Sequence, residues 1–263
     1  MPETAKHGDT RCRPLPRPDQ RTHDQPPAPA PGGKVVLSWS GGKDSAMALH
    51  ALQQDPTYEV VGLLTTLSAE HQRISHHGVR EALLDAQAAA IGLPVHKLHY
   101  GPDPSHTPEQ AMAAFEAAMD DALAQLRRHG VFHVAFGDIF LEDLRRYRER
   151  RLREVGMRAL FPLWGHDTTA LLHRFSRDGF AAVVTCAEPI AVPLIGVELS
   201  SDLLATDWPS GVDPCGERGE FHSFVHRGPV FGRPVRFSHG VTIVRDGRHY
   251  HDLLPADDPA AEP

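Results

Sequence analysis

The chain has 263 residues, of which 27 are basic and 34 acidic, for a net charge of −7 with histidines neutral. Hydrophobic residues make up 41% and charged residues 23%, the ordinary mix of a globular protein with enough material for one large α/β domain or two modest ones. No run approaches the roughly 20 apolar residues of a membrane helix, so a membrane role is not expected, and the negative balance is a poor match for sequence-independent nucleic-acid binding.

Residues 1–33 interleave prolines (Pro2, Pro14, Pro16, Pro18, Pro26, Pro27, Pro29, Pro31) with Arg11, Arg13, Arg17 and Arg21 and offer almost nothing to bury. This composition predicts a disordered tail, read as an inert extension ahead of a basic arm for an acidic partner. Charge and proline stand where a signal peptide needs an apolar stretch, so the cytoplasm is the expected location. Strands are predicted over 35–37, 60–67, 95–100, 131–136, 159–161 and 180–186. Helices are predicted over 44–53, 79–91, 108–129, 141–155 and 167–178, with Gly92 and Pro94 closing the second and Pro108 opening the third. Nearly all-apolar strands alternating with helices point to an α/β fold, a doubly wound parallel sheet covered on both faces. After Pro189 the texture turns to Pro/Gly-rich loops and short β runs such as 241–245. The predicted layout is therefore a domain over 34–188, a smaller α+β region over 189–254 and a frayed end over 255–263. Cys12, Cys186 and Cys215 are too far apart for a CxxC pair, which argues against a disulfide framework, a zinc ribbon or a dithiol site.

The sharpest signal is Ser38-Trp39-Ser40-Gly41-Gly42-Lys43-Asp44-Ser45, between the first strand and the first helix. Paired glycines let backbone N–H groups approach an anion, and the helix dipole favours negative charge there. Ser38, Ser40 and Ser45 supply hydroxyls and Lys43 a cation for phosphate. Asp44 repels bare phosphate but suits a Mg²⁺ ion lying between carboxylate and polyphosphate. The pattern is neither GxxxxGK[ST] nor GxGxxG. A Ser/Gly turn with Asp44 or Ser45 capping a helix is the competing, purely structural reading.

At these residues the chain resembles the PP-loop ATP pyrophosphatases, with their SGGxDS signature and HUP-like fold. The resemblance implies ATP cleaved to AMP and pyrophosphate while an acceptor is adenylated. Gly137-Asp138-Ile139, Leu141 to Arg145, Phe161-Pro162-Leu163-Trp164 and the stretch Asp213-Pro214-Cys215-Gly216-Glu217-Arg218-Gly219-Glu220-Phe221 narrow this to the diphthine–ammonia ligase family. Here the last stretch continues His222-Ser223 in place of that family's Glu-Thr. The resemblance implies an amidoligase that binds ATP, takes ammonia or ammonium, and acts on a carboxylate acceptor whose identity stays open, as does association as a homodimer. A nucleotide-binding regulatory protein and a tRNA-modifying enzyme are the alternatives.

Gly137 and Asp138 end a buried strand at the carboxyl edge where ligands of open α/β sheets gather. Asp138 could hold Mg²⁺ or a ribose hydroxyl, against a plain helix cap. The arginines at 145, 146, 148, 150, 151 and 153 should mostly form a solvated face, with Arg145 the first to reach a triphosphate. Clustered Asp213, Glu217 and Glu220 suit a cation or a proton transfer from ammonium, so they join Arg145 as catalytic candidates. Cys215 lacks an identifiable activating partner and reads first as a small buried residue; with Gly216, His77 and His222 it is nonetheless a substrate-side candidate. His77 follows His76 and precedes Gly78 just ahead of a helix. The pair His129 and His133 is discounted because Gly130 intervenes. Trp164 reads equally as a base-stacking or a core residue.

Overall fold

The computed structural model describes residues 33–256 apart from 71, 76, 102 and 104. The expected tails before 33 and after 256, with Cys12 and His76, lie outside the described residues. Gly33 and Pro255, given to those tails by composition, are the first residue of β1 and the last of β10.

The elements in chain order are β1 (Gly33–Ser38), α1 (Lys43–Gln53), β2 (Tyr58–Ser68), β3 (Arg73–Ile74), α2 (Glu81–Ile91), β4 (Val95–Tyr100), α3 (Pro108–Arg128), β5 (His133–Ala135), α4 (Glu142–Glu154), β6 (Arg158–Leu160), α5 (Thr168–Arg177), β7 (Ala181–Ala187), α6 (Ser201–Thr206), β8 (Phe221–Arg227), β9 (Phe237–Arg245) and β10 (Arg248–Pro255). A 3₁₀ turn over Pro189–Leu194 follows β7. Helix α2 starts two residues later than predicted because Val79 and Arg80 stay extended: Ile74 N–H donates to the Val79 carbonyl, and Arg80 bridges to Arg73. No helix among the described residues is long and apolar enough to cross a membrane.

Five parallel strands run in the order β4-β2-β1-β5-β6, with β3 antiparallel to the last two residues of β2. Successive strand residues face opposite ways, so the apolar run of β1 feeds two cores. Val35 and Leu37 pack with Leu63, Leu67 and the buried faces of α1 and α2 (Ala46, Leu49, Leu83, Leu84). Val36 packs with Leu64, Val134, Leu123 and Leu126 of α3, and Leu152 of α4. Helices thus cover both faces, as the composition of the strands predicts. Chain order reverses between β1 and β5, which opens a crevice at their carboxyl ends.

The strand predicted over 180–186 is a correction. It forms as β7, but it belongs to a second, wholly antiparallel sheet of order β8-β7-β10-β9. All seven of its residues are buried, because α5 and the larger core enclose it. An apolar run signals burial on both faces and says nothing of strand direction.

Candidate functional site

The chain leaves β1 and turns into α1 through Trp39 to Gly42. Gly41 has φ +77°, a left-handed value that favours glycine, while Gly42 caps α1 in an extended conformation without a side-chain cap. Ser40 Oγ donates to Ser45 Oγ at 3.3 Å and Ser45 Oγ to the Gly42 carbonyl at 2.9 Å, so both hydroxyls lie at the helix start. The Lys43 amide donates to Ser223 Oγ at 3.2 Å and the Val225 amide to the Gly41 carbonyl at 2.8 Å, fastening the loop to β8.

From β5 the backbone passes directly over this turn. A Cβ on Gly137 would stand 2.8 Å from the Asp44 carbonyl carbon and 3.0 Å from Ser45 N. Only a residue without a side chain permits that approach. Asp138 follows, paired with Arg148: Nη2 donates to Oδ1 at 3.1 Å, and Nε stands 2.6 Å from Oδ2 without hydrogen-bond alignment. The Arg148 guanidinium lies 4.1 Å over the Phe136 ring.

These groups share one cleft of about 220 Å³ with His77, Gly216, Glu217, Gly219, His222 and Ser223. Glu217 closes it from the opposite side, its Oε1 accepting from Ile139 N–H at 2.7 Å and Phe140 N–H at 3.2 Å. Burial, reinforced by the charges of Asp44 and Asp138, pushes the Glu217 carboxyl up to about 7, against those two N–H bonds. Burial also raises Asp44, opposed by Lys43, and Asp138, opposed by Arg148.

The structure sorts the sequence candidates. Ser38, Ser40, Gly42, Lys43, Asp44, Ser45, His77, Gly137, Asp138, Gly216, Glu217 and His222 line the cleft. Lys43 is buried, with Nζ donating to both Asp44 oxygens at 2.9 and 2.8 Å and to the Cys215 carbonyl. His77 and His222 have ring centroids 4.5 Å apart, and His77 Nδ1 lies 3.2 Å from the Ser223 carbonyl.

Five candidates do not line the cleft. Gly41 is one of them, its carbonyl accepting from the Val225 amide at 2.8 Å. Asp213 Oδ1 accepts from the Cys215 and Glu217 amides at 2.9 and 3.2 Å, and its Oδ2 accepts from Thr168 Oγ1 at 2.8 Å. Glu220 accepts from the Asp213 and Arg218 amides at 3.1 and 3.0 Å. Both carboxylates therefore fold the 213–220 loop. Cys215 is 2% exposed, its thiol raised by burial and 3.5 Å from the Thr168 carbonyl, so it is a packed residue. Arg145 is held by Glu149 at 2.8 Å and by the rings of Trp164 and Phe161 at 4.6 and 5.2 Å. Arg148, three residues on, occupies the cleft instead. Trp164 packs on the core with Phe161. Sequence reasoning missed Gln87, which touches the loop from α2; a lone glutamine inside a helix carries no local signal.

A parallel sheet whose glycine loop meets a helix N-terminus at the switch point, faced by carboxylates and an arginine, defines an ATP-binding α/β protein of the PP-loop class. Residues 33–159 match the family model of the diphthamide synthase N-terminal domain. A diphthine–ammonia ligase from Danio rerio is 26% identical over 237 residues, which cover 80% of this chain and 89% of that protein. Residues 33–159 thus carry a diphthamide synthase N-terminal domain, and the protein is by class an ATP-dependent C–N ligase.

Proposed function

We propose that the protein joins ammonia to a carboxylic acid, with ATP cleaved to AMP and pyrophosphate. The observation that carries this reading is the convergence on one cleft of the Ser40 to Ser45 loop, the Asp138–Arg148 pair and a Glu217 whose carboxyl titrates near 7.

Backbone N–H groups and hydroxyls of the loop bind the polyphosphate at the α1 N-terminus. An acceptor carboxylate oxygen attacks the α-phosphorus, the bond from that phosphorus to the bridging oxygen breaks, and pyrophosphate departs with the electron pair. Arg148 meets the charge on the leaving group with a planar guanidinium. Ammonia then attacks the acyl carbon, AMP leaves, and the surplus proton passes to Glu217. A carboxyl titrating near neutrality suits this role, because it is basic enough to take a proton and acidic enough to release it. Asp44 and Asp138 are hard oxygen donors whose burial beside Glu217 a cation would relieve. They would hold Mg²⁺, which needs only one or two protein carboxylates beside phosphate oxygens. When bound, that ion neutralises phosphate charge.

The test is a product analysis. Purified protein incubated with ATP, Mg²⁺, ammonium and a panel of carboxylic acids should release AMP and pyrophosphate with one acid and exchange labelled pyrophosphate into ATP. Acid-dependent release of ADP and orthophosphate instead would overturn the proposal.

A further inference from the structure

Gln87 is fully buried in α2, and its carboxamide spends every strong bond on the phosphate loop and its surroundings. Nε2 donates to the Gly41 carbonyl at 3.0 Å and to the Val225 carbonyl at 2.6 Å. Oε1 accepts from the Trp39 indole N–H at 3.0 Å. Since the Val225 amide also donates to the Gly41 carbonyl at 2.8 Å, that carbonyl is held by two donors, one from α2 and one from β8.

In a trans peptide the carbonyl and the following N–H point in opposite directions. The Gly41–Gly42 bond is trans, so drawing the Gly41 carbonyl inward turns the Gly42 N–H outward. Gly42 lines the cleft, and among the described residues its N–H has only a long bond, 3.3 Å, to Ser40 Oγ. We propose that Gln87 is a positioning residue: by holding the Gly41 carbonyl it aims the Gly42 N–H at a phosphate oxygen of the nucleotide. This rests on the reading of the loop as a polyphosphate site.

Glutamate at this position separates positioning from packing. An ionised carboxylate still accepts from Trp39 but cannot donate to either carbonyl, whereas a protonated carboxyl regains one donor. The groups facing the Gln87 carboxamide are Trp39 before the loop, Gly41 in it and Val225 in β8, and none of them titrates.

The experiment measures Mg·ATP and inorganic pyrophosphate binding by calorimetry for the wild type, Gln87→Leu and Gln87→Glu, from about pH 8 to about pH 6. Gln87→Leu should weaken both ligands about tenfold at every pH, the worth of the buried hydrogen bond lost at the Gly41 carbonyl. Gln87→Glu should be equally weak at the alkaline end and recover relative to the wild type as pH falls. A Gln87→Glu affinity that tracks the wild type throughout, or stays uniformly weak, overturns the proposal. The near-isosteric glutamate decides the matter if the leucine variant does not fold. Failure of the wild type itself to bind either ligand overturns the underlying reading of the loop, a different outcome.

Discussion

Glu217 is the residue at which stability and chemistry pull apart. Its folded carboxyl titrates near 7 against an ordinary 4.5, so between those values the folded protein holds a proton that the unfolded chain has released. Stability then falls as pH rises from about 4.5 to about 7, and the penalty is full above that window. Gln keeps the Oε1 acceptor for Ile139 and Phe140 but removes the charge. Glu217→Gln should therefore melt higher than the wild type at neutral pH and show a flatter pH dependence, seen by calorimetry across the window. Its amide-forming turnover should drop about hundredfold, the usual worth of a positioned base. Wild-type turnover should rise as pH climbs through about 7, the direction in which the carboxylate forms. Two of the arginines of α4, Arg148 and Arg145, give a second contrast. Arg148→Gln removes a cleft cation and leaves Asp138 without its partner, so pyrophosphate and ATP affinity should fall tenfold or more, about the worth of a charge-assisted bond. Arg145→Gln disturbs the Glu149 pair and the Trp164 and Phe161 stack, all outside the cleft, and should bind both ligands as the wild type does; titration calorimetry distinguishes the pair.

At the scale of elements, the site exists because β5 and α1 touch through backbone. Gly137→Ala would place a methyl 2.8 Å from the Asp44 carbonyl carbon, and neither partner is a flexible side chain that can step aside. The helix start must move, at a cost of about 1–3 kcal/mol for overpacking, and the loop amides move with it. Denaturant melts should show that loss, and ATP binding should weaken even in variants that remain folded. The glycine loop was legible in the sequence because Gly41 and Gly42 sit between an apolar strand and a helix, a local pattern. Every strand and helix predicted within the described residues also formed, since periodicity and caps such as Gly92 act over a few residues. What stayed hidden depends on distant partners. Val183 and Val184 are equally apolar in a parallel or an antiparallel sheet. Asp213 and Glu220 have the composition of an acid–base cluster, yet their oxygens are taken by backbone amides of their own loop and by the Thr168 hydroxyl. Six arginines in one helix gave no sign which would face inward, because that depends on Asp138 and Phe136 being brought alongside by β5.

For the molecule as a whole, the glycine loop is a joint product of both sheets. The parallel sheet supplies the strand–helix turn, and the antiparallel sheet supplies Ser223 and Val225, which fix its amide and carbonyl. The two sheets are also fastened at a distance from the cleft. Asp252 of β10 accepts from Arg73 of β3 at 2.8 Å and from Arg80 Nη2 at 2.6 Å. Although burial works against ionisation there, the bonds from Arg80 and Arg73 hold the Asp252 carboxyl down at about 2. A depressed carboxylate stabilises the fold fully above its ordinary 3.8, and that contribution is lost as pH falls through about 2. Asp252→Asn should lower stability at neutral pH by about 1 kcal/mol, a modest figure because Arg80 is 40% exposed and screened by solvent. The gap to the wild type should close as both are taken toward pH 2. Because β10 pairs with β7, and β7 with β8, loosening this fastening also loosens the strand that grips the loop. ATP affinity in Asp252→Asn should fall along with stability, measured on the same samples by calorimetry and thermal melts. A destabilised variant with wild-type ATP affinity would show instead that β8 holds the loop without help from the Asp252 contact.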